Sequence, residues 1–172
     1  MGADTIETIN AIIKQLELLP HPEGGFYKES HRSDLTIAKE CLPEGYSGMR
    51  NVSTAIYFLL TSDNFSAFHK IHQDEVWHFY KGSPISLHVI TKNGVYENHI
   101  IGPELELGQV PQHVVQGGDW FASEVSTEDS YSLAGCTVSP GFDFADFEMA
   151  QRDDLIKQFP QFENIISRLC RA

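Results

Sequence analysis

The stretch from residue 53 to residue 138 constrains the fold most, because it consists of short apolar segments separated by turn residues. Asn93-Gly94 lies between two of these segments, and this dipeptide is a strong signal for a β-hairpin. Many short strands at near-regular spacing are typical of an all-β sandwich or barrel. The segments with strand-type composition are residues 53–61, 65–71, 75–80, 85–90, 95–101, 113–116, 120–123 and 131–138.

Both ends of the chain have helical patterns instead. Isoleucines and leucines recur at spacings of three and four over residues 4–19, which predicts an amphipathic helix. Asp4 and Glu7 resemble a capping pair at its start, and Pro20 and Pro22 are expected to end it. Two short helices are predicted at about 151–159 and 163–170, interrupted at Pro160.

These patterns fit one domain over residues 1–172, a length that one hydrophobic core can stabilise. The expected order is an N-terminal helix at about 4–19, a barrel at about 24–148 and C-terminal helices at about 151–170. Within the barrel region, Gly24 and Gly25 allow a tight turn before a strand over 26–32. Residues 33–50 read as a loop.

The charge limits the classes of partner. Asp and Glu total 24 against 12 Lys and Arg, so the net charge is −12. Nucleic acids and anionic membrane surfaces would repel such a protein, and neither is an expected partner. No apolar stretch approaches the roughly 18 residues of a membrane span, and the acidic amphipathic start is unlike a signal peptide. A cytoplasmic location is therefore expected.

A histidine and glutamate cluster lies in the segment FSAFHKIHQDEVWHFYKG. Its spacing resembles the first motif of the cupins, in which His-x-His is followed by Glu, six residues and Gly. Glu75 and Gly82 fit this motif, and His69 fits the first histidine, whereas Ile71 stands at the second. In the second motif Gly118 matches, Gln116 replaces a proline, and Phe121 replaces the last histidine, with Trp120 beside it.

The chain resembles one branch of cupins whose function is largely unassigned, and the resemblance covers about residues 16–160. It implies a double-stranded β-helix, or jelly-roll barrel, and commonly a homodimer. The segments that carry it are LLPHPEGGFYKESHRS, STAIYFLL, FSAFHKIHQDEVWHFYKG, PQHVVQGGDWF and CTVSPGFDFADFE.

The resemblance turns Glu75 into the barrel, and Trp77 and Phe79 share its strand face. Burial would raise the pKa of Glu75 and lower that of His69. These two residues are the predicted catalytic groups. The predicted ligand-binding residues, for which core packing or a solvated face is the alternative, are Lys28, Arg32, Trp77, Phe79, Trp120 and Phe121. Lys28 or Arg32 would anchor an anionic group such as phosphate.

No cofactor is expected, because two of the usual cupin metal ligands are replaced. The weak candidates for a metal site are His69, His72 and Glu75. A hydrogen-bonded His–Glu pair without an ion is the other interpretation.

Two functions remain open. The barrel resembles that of the dTDP-4-keto-sugar 3,5-epimerases, which need no metal and use a histidine base. By this resemblance the chain would be a sugar or sugar-nucleotide epimerase or isomerase. His69 would be the base, and Glu75 would orient it. The candidates for the general acid are Tyr57, Tyr80 and Tyr131. The sequence shows no recognisable His–Asp dyad. The alternative is a protein that binds a small apolar or nucleotide-like ligand in the barrel without turnover.

Overall fold

The computed structural model describes residues 1–171. The strands are β1 (Leu19–Pro20), β2 (Phe26–Arg32), β3 (Thr36–Ile37), β4 (Arg50–Asn51), β5 (Thr54–Thr61), β6 (Phe65–Lys70), β7 (Asp74–Gly82), β8 (Ile85–Ile90), β9 (Tyr96–Ile101), β10 (Gln112–Val115), β11 (Trp120–Val125), β12 (Tyr131–Ser139) and β13 (Glu148–Met149). The helices are α1 (Ala3–Leu16), α2 (Arg152–Gln158) and α3 (Glu163–Leu169).

Two antiparallel sheets face each other and form the predicted barrel. One sheet has the strand order β1-β2-β5-β12-β7-β10, and the other has the order β13-β6-β11-β8-β9. Strands β3 and β4 make a separate small ribbon. Sequential strands repeatedly fall in opposite sheets, as they do in a jelly roll.

Alternation along the strands decides what fills the barrel. In β5, Phe58 and Leu60 point inward and join the central core, while Leu59 points outward beneath α1. Helices α2 and α3 cover the outer face of the other sheet, where Phe68 and Ile90 pack against them. The apolar face of each terminal helix is thus buried against the outside of the barrel.

The predicted barrel strands agree with the structure to within a few residues, and the Asn93-Gly94 turn joins β8 to β9. Helix α1 differs from its prediction. It ends at Leu16, before either proline, because Glu17 takes the left-handed conformation with φ 54°. Its N-cap is Gly2, which makes no side-chain cap, so the expected Asp4–Glu7 capping pair does not form.

Within residues 1–171, none of the helices has the length and apolar character needed to cross a membrane.

Candidate functional site

A cavity of about 530 Å³ opens into the barrel. Its walls come from β2, β5, β6, β7 and β12, and from two loops at residues 21–25 and 140–147. The remaining interior is filled by the core, in which Trp77, Leu60 and Phe121 are almost completely buried. The cavity is therefore the space in the barrel where a small molecule can bind.

The turn over residues 21–25 carries Glu23 into this cavity. The backbone of the turn is closed by hydrogen bonds from His21 N to Gly25 O (3.0 Å) and from Gly24 N to His21 O (3.0 Å). Gly24 has φ 116°, and a Cβ there would lie 2.0 Å from the carbonyl oxygen of Phe65. Only glycine fits, because a side chain would collide with the strand on which the turn rests.

Three donors hold the same turn in place against β6. Ala67 N donates to the Glu23 carbonyl at 2.8 Å, and a guanidinium nitrogen of Arg171 donates to it at 3.3 Å. Ser66 Oγ donates to Oε1 of the Glu23 carboxyl group at 2.9 Å. The position of Glu23 is thus fixed by β6 and by the C-terminal arginine together.

His69 contacts oxygen atoms through both of its ring nitrogens. Nδ1 lies 2.7 Å from the Ala67 carbonyl oxygen, which can only accept, so Nδ1 carries a hydrogen. Nε2 lies 3.0 Å from Glu23 Oε2, which is an ion-pair distance without the alignment of a hydrogen bond. The ring of His69 is therefore held between the backbone of its own strand and the carboxyl group of Glu23.

His21 takes the other tautomer. The backbone N–H of Glu23 donates to His21 Nδ1 at 3.3 Å, which leaves the ring proton on Nε2. Burial lowers the pKa of His21 and keeps the ring neutral, although Glu23 partly opposes the effect. The ring lies edge-on to Tyr27, with the centroids 4.5 Å apart.

Burial raises the pKa values of the acidic groups, whereas it lowers that of His21. It raises the pKa of Glu75 to about 7, with His69 opposing the shift and Glu23 adding to it. Burial also raises the pKa of Glu23 and lowers that of His69. The pKa shifts of Glu75 and His69 thus have the directions expected from the sequence. The indole N–H of Trp77 points to the same carboxyl group and favours its ionised form. This buried N–H has no hydrogen-bond partner of normal geometry.

A metal ion does not fit these residues. Both nitrogens of His69 are engaged, and Ile71 and Phe121 occupy the positions of two cupin ligands. His72 lies apart from His69 and Glu75, half-exposed, with Nδ1 3.6 Å from Asp146 Oδ1. Within residues 1–171, no group of three or more His, Cys, Asp or Glu side chains is arranged to hold a metal ion.

The two predicted anion anchors line the cavity, but both are already ion-paired. Arg32 donates to both carboxylate oxygens of Glu29, at 3.0 and 2.8 Å, and to Asn51 Oδ1 at 2.8 Å. Lys28 Nζ lies 3.2 Å from Glu17 Oε2. A phosphate that bound to either cation would therefore have to compete with a carboxylate of the protein.

The aromatic residues in the cavity wall also differ from the prediction. Trp77 and Phe121 belong to the packed core, and Phe79 packs against it. Trp120 faces outward under α2 and α3, with the Lys70 ammonium 4.4 Å from its ring centroid. The rings that do line the cavity are Tyr27, Phe58, Phe142, Phe144 and Phe147.

Three of those rings come from the loop at 140–147. Asp146 anchors this loop, because the buried Arg50 guanidinium donates to both of its carboxylate oxygens and Gln73 Nε2 donates to Oδ2 at 2.7 Å. The ion pair is almost completely buried. The segment PGFDFADFE was visible as a motif, but its spacing alone gave no sign that Phe142 and Phe144 would reach the cavity.

Tyr27 is the tyrosine in the described part of the cavity wall, and the sequence analysis did not select it. Tyr57 and Tyr80 contact each other outside the cavity, with ring centroids 6.3 Å apart. Tyr131 packs near α1. None of the three tyrosines proposed as a general acid therefore lies beside His69 or Glu75.

A barrel of this topology, with its cavity bordered by the strand that carries Glu75, defines the chain as a cupin. The sequence pattern of the family described as "Cupin superfamily (DUF985)" matches residues 10–150, so the chain belongs to that family.

Three relatives are similar over most of their length. The uncharacterised protein YML079W of Saccharomyces cerevisiae is 31% identical over 159 residues, which are 87% of this chain and 79% of that protein. A hypothetical protein from Leishmania major is 36% identical, with a TM-score of 0.86 over 95% of this chain and 98% of its own. Protein SO0799 from Shewanella oneidensis is also 36% identical, with a TM-score of 0.83 over 94% and 96% of the two chains. Their names state no activity.

Proposed function

We propose that this cupin is a metal-independent isomerase or epimerase that moves a proton next to the carbonyl group of a small molecule, such as a keto sugar. The observation that carries the proposal is Glu75, a buried carboxyl group in the cavity wall whose pKa is raised to about 7. A base with a pKa near the working pH is the most effective kind for abstracting a proton. His69 and Glu23 lie next to each other in the same cavity wall, with Nε2 and Oε2 3.0 Å apart.

In this proposal His69 and Glu75 exchange the roles of base and positioning residue that were expected from the sequence. Both nitrogens of His69 are engaged, so this residue positions Glu23 rather than removing a proton itself. Glu75 is the base. It takes the proton from the carbon beside the carbonyl group, and the electron pair of that C–H bond moves onto the carbonyl oxygen to give an enolate.

A second group must return a proton for the reaction to be completed. Tyr27 is the tyrosine in the cavity wall and is proposed as this acid; afterwards the proton on Glu75 is released to solvent and Tyr27 takes a proton back from it. Delivery to the opposite face of the carbon gives an epimer, and delivery to the adjacent carbon gives an isomer. Ionised Glu75 destabilises the folded state because the carboxyl group is buried. Strongly perturbed pKa values of this kind are common at catalytic sites.

The experiment is deuterium incorporation. Unphosphorylated ketoses and keto sugars, with and without an amino group, are incubated with the protein in D2O, and loss of the signal from the hydrogen beside the carbonyl group is followed by NMR. We expect exchange with the wild-type protein and at least a 100-fold slower rate in Glu75→Gln, because general base catalysis typically contributes 10²–10⁴-fold. The exposed Glu106→Gln variant is the matched control and should exchange at the wild-type rate.

Exchange that is unchanged in Glu75→Gln would contradict the proposed role. Tyr27→Phe separates the two protons, because it should slow formation of the isomerised product more than it slows exchange.

The second candidate function is binding without turnover. The aromatic rings of the cavity wall favour it, since such rings provide stacking and apolar contact for a ligand. A compound that stabilises the protein against heat but exchanges no hydrogen in D2O would support this alternative. In that case Glu75→Gln should weaken the binding without removing it.

A further inference from the structure

The charged groups of the cavity are predominantly acidic. Carboxyl groups in its wall belong to Glu23, Glu29, Glu75 and Asp143, whereas the cationic side chains there are Lys28 and Arg32. Burial lowers the pKa values of His69 and His21, which disfavours a positive charge on either ring. The cavity therefore has an excess of negative charge whenever Glu75 is ionised.

Neither cation can reverse this sign, because each is held by an acidic partner. The bidentate contact of Arg32 with Glu29 is the strongest form of ion pair that an arginine makes. Arg32 also donates to the carbonyl oxygen of Phe142 at 3.0 Å, which ties it to the loop at 140–147. A phosphate could use Arg32 only by displacing Glu29, while Asp143 lies in the same wall and would repel it.

Aromatic rings complete the cavity wall. The ring centroids of Phe142 and Phe144 are 5.0 Å apart, and those of Phe144 and Phe147 are 5.9 Å apart. Aromatic faces attract ammonium groups through the negative charge of their π systems. Carboxylates and aromatic rings in one wall are the combination that binds organic cations.

We infer that the molecule accepted by this site is a small carbonyl compound that carries a positively charged amino group, and that phosphorylated or carboxylated compounds are excluded. This inference rests on the site of the proposed function and adds its selectivity for charge. It also replaces the expectation that Arg32 and Lys28 recruit an anion.

The test measures the electrostatic potential of the cavity and needs no substrate. Ile56 lines the cavity from β5, and Ile56→Cys in a Cys136→Ala background places a thiol there. Three methanethiosulfonates are compared, which carry a trimethylammonium, a sulfonate or no charge. Each converts the thiolate to a mixed disulfide and releases methanesulfinate. The exposed Cys41 of the same chain is the internal reference, and mass spectrometry separates the two sites.

At each thiol we compare the modification rate of the cationic reagent with that of the anionic one. We expect this ratio of rates to be at least about tenfold higher at position 56 than at Cys41, because charged clefts change encounter rates by about 10–10³-fold. Adding Glu75→Gln should reduce this preference. Equal rates, or a preference for the anionic reagent, would overturn the inference. Failure of the neutral reagent to react at position 56 would show that the cavity is closed to solutes and would overturn it as well.

The two proposals can fail separately. A cation-selective cavity without deuterium exchange would leave the inference standing and remove the isomerase. Deuterium exchange in a cavity that prefers the anionic reagent would support the isomerase and overturn the inferred selectivity for cations.

Discussion

Replacing Glu75 by glutamine should make the protein more stable at neutral pH. Burial raises the pKa of this carboxyl group from 4.5 to about 7 in the folded state. A tenfold change in a protonation constant corresponds to about 1.4 kcal/mol, so the ionised carboxylate should destabilise the fold by about 3 kcal/mol. Glutamine has nearly the same shape but does not ionise, and it removes this penalty.

The pH dependence follows from the direction of the shift. Below about pH 4.5 Glu75 is protonated in both the folded and the unfolded chain, and it contributes no difference. Between the two pKa values the folded state retains a proton that the unfolded state has lost, so stability falls as the pH rises. Above about pH 7 the penalty is complete. The difference between wild type and variant therefore measures the ionisation of Glu75 together with its coupling to His69, which opposes the shift.

The assay is urea denaturation of the wild-type protein and Glu75→Gln from about pH 4.5 to pH 8. The variant should match the wild type at the acidic end and exceed it by about 3 kcal/mol at pH 8. The exposed Glu106→Gln variant should show no such divergence. A Glu75→Gln protein that is equal to the wild type at every pH, or less stable at pH 8, would refute the reasoning.

Other predictions concern the supports of the site and the partners of the protein. Asp146→Ala leaves the buried Arg50 without its carboxylate and should lower the free energy of unfolding by about 3–5 kcal/mol in the same denaturation assay. Gly24→Ala should destabilise the fold by more than about 1 kcal/mol, since φ is 116° and the new Cβ meets the Phe65 carbonyl; a melting temperature like that of wild type would count against the fixed turn. Fluorescence anisotropy should detect no binding to duplex DNA near physiological salt, because the net charge is −12, and sub-micromolar affinity would disprove this. Light scattering should show a homodimer, as the cupin resemblance implies, and a monomeric mass would contradict it.

The barrel was predictable because alternation of apolar and polar residues is a local property of each strand. Glu75 was found through its resemblance to the cupin motif, and the period of two in its strand gave the residues that share its face. Glu23 was not found, because its contact with His69 depends on how the turn at 21–25 rests on β6. No spacing in the sequence encodes that contact.

The cavity wall escaped prediction for a related reason. The strand face of Glu75 was right, but Trp77 is buried in the core rather than in the cavity. How far an inward-pointing ring lies from the open end depends on the depth of the barrel. Similarly, Phe142 and Phe144 reach the cavity only because the distant Arg50 anchors Asp146, and a single sequence does not reveal such a long-range pair.

A crystal structure with a compound that stabilises the protein tests the central claim most directly. A library of neutral and amino-bearing carbonyl compounds is screened by thermal shift, and the best compound is soaked at several concentrations. We predict that the compound lies inside the barrel, with its carbonyl group within hydrogen-bonding distance of Tyr27 and the adjacent carbon beside Glu75. A compound bound outside the barrel, away from His69 and Glu75, would contradict the account.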